Sequence, residues 1–253
     1  MRIVGVIHLL PLPGTPRAVD FETVLSRALE DAFTLKRGGV ETVIVENFGD
    51  APFVRGLVEP HIATYMTRLI LEIKSKVGLN IGVNVLRNDA RTAIAIAETV
   101  KAEFVRINVH TGAAWTDQGL IQGSAYDSLQ YRNQLGSKVQ IMADVMVKHA
   151  TPAGKRTLLD AANDTVHRGL ADAIIVTGEA TGSCVDWSEV EALKAQLPKV
   201  PIWIGSGINR ENITQAEQLA DAVIIGTYFH RNSQISLPLD LKRVRDLVGS
   251  LKG

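Results

Sequence analysis

The sequence predicts an α/β protein, a single (β/α)8 TIM barrel with parallel strands spanning residues 1–253. Short runs rich in Val and Ile alternate with longer amphipathic segments from one end to the other. Eight such runs fit into 253 residues, the strand count and length of a closed barrel. No linker-like shift in composition divides the chain. Strands that alternate with helices imply a parallel sheet covered by helices.

The first strand is read at residues 3–7, followed by a rigid loop, His8-Leu9-Leu10-Pro11-Leu12-Pro13-Gly14. That loop lacks the Gly-rich fingerprint of a doubly wound nucleotide-binding sheet, the competing architecture. His8 and the prolines also break the opening apolar run, so it reads as a strand and not as a secretory leader. A helical pattern at 21–37 leads to the second strand, 42–45, and another at 60–76 to the third, 81–85. A helix at 90–101 precedes the fourth strand, 104–109. The stretch 111–137 is expected to hold an extended functional loop before a helix at 125–135. The fifth strand, 139–145, is followed by a helix at 156–168, the sixth strand at 173–176 and a helix at 187–196. The seventh strand, 202–204, a helix at 210–219, the eighth strand, 222–225, and a last helix at 239–251 complete the set.

Composition narrows the function. Lys and Arg number 27 against 27 Asp and Glu, so no basic excess points to nucleic acid. The single cysteine, Cys184, excludes a disulfide within the chain and agrees with a cytoplasmic setting; in its loop it reads as inert. No uncharged apolar run approaches the ~18 residues of a membrane helix, so any membrane association is expected to be peripheral.

The chemistry gathers at strand ends. In Phe104–Val109 the apolar Val105, Ile107 and Val109 suit the helix-facing side, which aims Arg106 and Asn108 into the barrel, with His110 next in register. Asn84 does the same on the third strand; on the fifth, Gln140, Met142, Asp144, Met146 and Lys148 share one parity. Glu46 and His8 end the second and first strands. An unpaired buried charge costs several kcal/mol, so these groups are expected to pair with one another or with a ligand. The plainer alternative is an internal salt bridge of Arg106 with Asp144 or Glu46. His8, Glu46 and Asp144 follow no metal-ligand spacing, and neither a metal nor a cofactor is expected.

The seventh strand ends in Gly205-Ser206-Gly207-Ile208-Asn209 and the eighth in Ile225-Gly226-Thr227. Barrels commonly hold phosphate on these two loops and a helix N-terminus, where backbone N–H groups converge. Gly205, Ser206, Gly207, Gly226 and Thr227 are therefore candidate phosphate-binding residues; the plainer alternative is that the glycines only serve tight turns. Thr177-Gly178-Glu179-Ala180-Thr181-Gly182 adds a third glycine loop on the same rim.

The stretches GVIHLLPLPGTP, GVNVLRNDA, FVRINVHTGAAWTDQGLIQG, ADVMVKHA, TGEATG and GSGIN together resemble the BtpA family, also called the BtpA/SgcQ family, of TIM-barrel proteins. The resemblance implies a barrel enzyme of unassigned reaction. It also implies, from a cyanobacterial member, a role in photosystem I biogenesis or stability at the thylakoid surface, although members occur in organisms without photosynthesis.

Two functions follow. One is an enzyme acting on a small phosphorylated metabolite by isomerase- or lyase-type acid/base chemistry. Asp144 or Glu46 is the candidate base, Lys148 or His8 the acid, and Arg106 the stabiliser of negative charge. Asn84, Asn108, Thr177 and Gly178 are expected to bind substrate, and Lys148 could instead form a Schiff base. The other is a non-catalytic assembly factor using an apolar surface that includes Trp115, Leu120 and Ile121. Association into a homo-oligomer through helices or loops fits either.

Overall fold

A computed structural model describes residues 1–146, 150–178 and 185–251. Its strands are β1 (Arg2–His8), β2 (Thr42–Glu46), β3 (Asn80–Asn84), β4 (Phe104–Ile107), β5 (Ala113–Thr116), β6 (Gly119–Gln122), β7 (Gln140–Val145), β8 (Thr151–Pro152), β9 (Ala173–Val176), β10 (Ile202–Ile204) and β11 (Ala222–Ile225). The helices are α1 (Phe21–Arg37), α2 (Pro60–Val77), α3 (Ala90–Val100), α4 (Ala125–Gln134), α5 (Leu158–Asn163), α6 (Trp187–Gln196), α7 (Ile213–Leu219) and α8 (Leu241–Gly249). Eight strands close into a parallel barrel in the order β1-β2-β3-β4-β7-β9-β10-β11. The expected eight-stranded (β/α)8 fold is what the chain adopts.

The parity of each barrel strand divides its residues between two environments. Ile7, Val43, Val45, Ile81, Val83, Val105, Ile107, Ile141 and Ile174 belong to the large core between strands and helices. Val4, Val6, Ile44, Phe104, Met142, Ile175, Trp203 and Ile224 form a separate cluster inside the barrel. Phe104 and Trp203 meet edge to face there, their centroids 5.1 Å apart. Gly82 makes room for this pair: a Cβ at that position would fall 2.3 Å from the Phe104 ring. Arg2 closes the bottom, donating to Thr42 Oγ1 and pairing with Glu103.

Helix starts follow local chemistry. Asp20, Asp89, Asp186 and Asp240 each accept a hydrogen bond from the first turn of α1, α3, α6 and α8. Thr157 and Asp160 form a reciprocal capping box on α5. The expected helix at 156–168 is shorter: α5 ends at Asn163 and runs into a π-helical turn at Asp164–Arg168. The expected helix at 210–219 begins only at Ile213, because Asn209 and Asn212 are spent on loop hydrogen bonds. The stretch 111–137 does hold a helix, α4. Its first part is no irregular loop, however, but the hairpin β5–β6, to which β8 adds a third antiparallel strand.

The aromatic-for-glycine exchange inside the barrel is testable. Gly82→Ala should destabilise the protein by about 1–3 kcal/mol through overpacking. In a Phe104→Leu background the same change should cost clearly less than the sum of the two single effects. Thermal unfolding of the four proteins measures the coupling; strict additivity would mean that the two side chains do not share the space.

Candidate functional site

The polar residues inside the barrel sit directly above its apolar layer and are wired together. Arg106 donates through Nε and Nη2 to the two oxygens of Asp144, both at 3.1 Å, and through Nη1 to Glu46 Oε1 at 3.3 Å. Asn108 Nδ2 donates to Asp144 Oδ2 at 2.7 Å. Asn84 Nδ2 donates to Asn108 Oδ1 at 3.1 Å and to the Arg106 carbonyl at 3.0 Å. Strands β2, β3, β4 and β7 are thus joined by one network. Burial opposes the charge on Arg106, but Asp144 and then Glu46 more than offset it, and its pKa is raised. The internal salt bridge is therefore present, with both expected carboxylates at once.

This network forms one wall of a cleft of about 570 Å3 at the C-terminal ends of the strands, a size suited to a small metabolite. Glu46, Asn84, Arg106, Asn108 and His8 line it on one side; Gly205, Ser206, Gly207, Gly226 and Thr227 line it on the other. Phe48, Phe53 and Ile235 add apolar surface. Two charged residues not expected from sequence also reach it: Arg87, just past β3, and Asp117, at the tip of the β5–β6 hairpin. Burial lowers the Arg87 pKa, while Asp144 acts in the opposite direction.

Asp144 differs from expectation. It lies not on this cleft but on an adjoining cavity of about 330 Å3, which Asn108 also lines. Its side chain is fully buried and both oxygens are taken up by Arg106 and Asn108. Glu46 is different again: Arg106 engages Oε1, and Oε2 accepts no hydrogen bond from a described residue. Met146 does not continue the inward parity of β7, since it turns to φ 53° and is exposed. His110 leaves the register too. Asn88 clamps both the N–H and the carbonyl of Val109, after which the buried His110 ring turns to donate from Nε2 to the Gly169 carbonyl at 2.8 Å. Burial lowers its pKa. Lys148, Cys184 and residues 179–182 lie outside the described residues.

The glycine loops have separate reasons for their glycines. Gly207 has φ +76°, a turn conformation that favours glycine. At Gly226 a Cβ would lie 2.7 Å from His8 Cε1, and at Gly205 it would lie 2.6 Å from Ile175 Cγ2 and 2.8 Å from Thr177 Cγ2. Packing inside the barrel thus accounts for two of the three. Ser206 Oγ accepts from Gly178 N at 3.0 Å, tying the loops after β9 and β10 together. Thr227 opens a single 3-10 turn, Thr227–Phe229, whose first N–H groups have no acceptor within the turn. Two buried side-chain atoms of the strand ends, Asn84 Oδ1 and Thr177 Oγ1, have no hydrogen-bond partner among the described residues.

Side chains that sequence parity did not flag hold the rim in place. Asn47 accepts from Leu86 N and donates to Asp50, which in turn accepts from Leu12 N. Asp89 accepts from Val58 N as well as capping α3. Each such group bridges loops from two strands. His230, past β11, places Nε2 3.1 Å from His8 Nδ1. Its one sequence signal is a histidine three residues after a strand-end Thr227.

The family's sequence profile matches residues 1–253. The chain belongs to the BtpA family. It is 44% identical over 98% of its length to the photosystem I biogenesis protein BtpA of Synechocystis, covering 87% of that protein. An uncharacterized protein of Methanocaldococcus jannaschii is 41% identical, with 97% and 93% covered, and a mitochondrial one of Caenorhabditis elegans is 31% identical, with 96% and 90% covered. Among solved structures, orotidine 5'-phosphate decarboxylase from Pyrococcus horikoshii superposes with a TM-score of 0.60 at 16% identity, with 99% of each chain covered. Phosphoribosyl anthranilate isomerase from Thermus thermophilus gives 0.59 at 11%, with 100% of this chain and 98% of that one covered. At such identities the likeness shows the shared barrel fold. No helix among the described residues is long and apolar enough to cross a membrane.

The charge network makes a stability prediction. Arg106→Met leaves two buried carboxylates without their cation and should cost about 3–5 kcal/mol. Asp144→Asn keeps the shape and leaves Glu46 to balance Arg106, so its cost should be lower, about 1–3 kcal/mol. Thermal denaturation of both variants tests the order; a reversed order would mean that Glu46 alone does not balance Arg106 once Asp144 is neutral.

Proposed function

We propose that this BtpA-family chain binds a small phosphorylated metabolite in the barrel-mouth cleft and transforms it by isomerase- or lyase-type acid/base chemistry. One observation carries the reading: a single cleft has a charged, hydrogen-bonded wall on β1–β4 and the two glycine loops after β10 and β11 facing it. The phosphate would rest on the Gly205–Gly207 backbone and on Gly226 and Thr227, with Ser206 beside it. The reacting part would lie toward Glu46, Asn84, Arg106 and Asn108.

The roles follow from how each group is already occupied. Glu46 is the better candidate for the base, because one of its oxygens has no donor among the described residues while Arg106 holds the other. Asp144 acts as the counter-ion that orients Arg106. The fixed guanidinium then steadies negative charge that develops on a bound carbonyl or enolate. His8, the register partner of Glu46 on the adjacent strand, serves as the acid–base partner beside it, and Lys148 remains the alternative acid. Asn84 Oδ1, buried and without a partner among the described residues, is suited to accept from a ligand hydroxyl after a small shift of the side chain. The solved structures whose names carry phosphorylated compounds, orotidine 5'-phosphate and phosphoribosyl anthranilate, support the proposal only in that their fold is the same.

The second reading is a role in photosystem I biogenesis, favoured by the 44% identity to the Synechocystis protein of that name. The apolar surface expected for it is reduced, since Ile121 is buried with Val109 and Ala114, leaving Trp115 as the exposed aromatic of the hairpin.

A thermal-shift screen of phosphorylated metabolites and their dephosphorylated counterparts separates the two readings. Thr227 Oγ1 makes no hydrogen bond to a described residue, so Thr227→Val should leave the melting temperature unchanged. It should weaken binding of the phosphorylated compound about 10- to 100-fold, the worth of one hydrogen bond to a charged group. The dephosphorylated compound should lose nothing. Equal losses for both, or no phosphate-dependent binder at all, would overturn the phosphate proposal.

A further inference from the structure

Behind the cleft runs a chain of hydrogen bonds that begins at α1 and ends on His8. Asp31, buried, accepts from Arg27 Nε at 3.0 Å and from Leu239 N at 3.4 Å. Arg27 Nη2 donates to the Leu237 carbonyl at 2.7 Å. The same carbonyl lies 2.6 Å from His230 Nδ1. His230 is buried, and its other nitrogen, Nε2, lies 3.1 Å from His8 Nδ1. His8 lines the cleft, packed edge-on against Phe48 with centroids 5.0 Å apart.

Two rules of donor chemistry fix where the protons are. A carbonyl oxygen can only accept, so a contact of 2.6 Å requires that His230 carry its proton on Nδ1. Burial, and the nearby Arg27 cation, disfavour a second proton on His230, and its pKa is lowered. His230 Nε2 is therefore a lone pair. A lone pair facing His8 Nδ1 at hydrogen-bond distance requires a proton on that nitrogen.

We propose that His230 is a positioning residue that holds His8 in the Nδ1–H tautomer, making Nε2 the atom through which His8 gains and loses a proton. Neutral His8 then offers its Nε2 lone pair as an acceptor, and when protonated it donates from Nε2, while Nδ1–H stays with His230. An unconstrained imidazole favours the opposite tautomer, so the arrangement costs free energy that the Leu237 carbonyl and the Arg27–Asp31 pair offset. For its chemical use the inference rests on the acid–base reading of the cleft. The tautomers themselves are read without any ligand, so failure of one idea is distinguishable from failure of the other.

The test is a two-bond 15N–1H correlation spectrum of the whole chain labelled with 15N-histidine, followed through a pH titration. The His8 and His230 signals are identified by their loss in His8→Asn and His230→Phe. In the wild type both rings should show Nδ1–H with an unprotonated Nε2 at alkaline pH, and on acidification His8 should gain its proton at Nε2. In His230→Phe the His8 tautomer should reverse to Nε2–H, whereas His230→Gln, whose side-chain oxygen can still accept, should retain Nδ1–H. Wild-type His8 found as Nε2–H would overturn the proposal even if the variants do not fold. Retention of Nδ1–H in folded His230→Phe would overturn the role of His230.

Discussion

A guanidinium buried inside a barrel of hydrocarbon cannot stand alone, and Arg106 sets the terms for the strands around it. Moving such a charge out of water costs several kcal/mol unless it is paired and fully hydrogen-bonded. Glu46 on β2 and Asp144 on β7 supply the pairing from either side of β4. Asn108 then satisfies the remaining acceptor capacity of Asp144, and Asn84 satisfies Asn108. Four strands must therefore end in polar residues of the same inward parity.

Much of the fold was legible because the barrel imposes a period of two on every strand and surrounds it with helices. Strands β9, β10 and β11 and helices α1 and α6 lie where the hydrophobic runs and amphipathic patterns put them. The misreadings share one cause. Asn209 and Asn212 close a loop on themselves, so α7 starts late. Thr151–Pro152 pairs with Ala114 and Trp115 some forty residues earlier, which turns a presumed loop into a sheet. Neither pairing leaves a trace in local periodicity.

The site was legible to the same depth. Parity placed Asn84, Arg106 and Asn108 together, since it depends only on the strand that carries each residue, and position at the end of a strand added Glu46. It failed where the chain stops being a strand: Met146 and His110 follow the numerical alternation, but the backbone has already turned at both. Arg87, Asp117 and His230 come to the cleft or to His8 from loops, and no spacing rule connects residue 8 to residue 230. The glycines were noticed for the approach of an anion, yet at 205 and 226 the space they leave is taken by Thr177, Ile175 and the His8 ring. A glycine pattern in sequence does not distinguish room for a ligand from room for a side chain.

The same accounting of lone pairs separates the two carboxylates, and on the proposed acid–base reading it favours Glu46 as the base. Residue type and strand position make Asp144 and Glu46 equivalent, and both contact the same cation. A base, however, needs a lone pair that points at its substrate and is not already committed. Asp144 spends both oxygens on Arg106 and Asn108 in a fully buried position, so protonating it would break the network that keeps Arg106 charged. Glu46 gives Arg106 one oxygen and lines the cleft, and its other oxygen accepts no hydrogen bond from a described residue. A buried cation with two unequal anions thus has one partner committed on both oxygens and one that presents an oxygen without a described donor at the cleft.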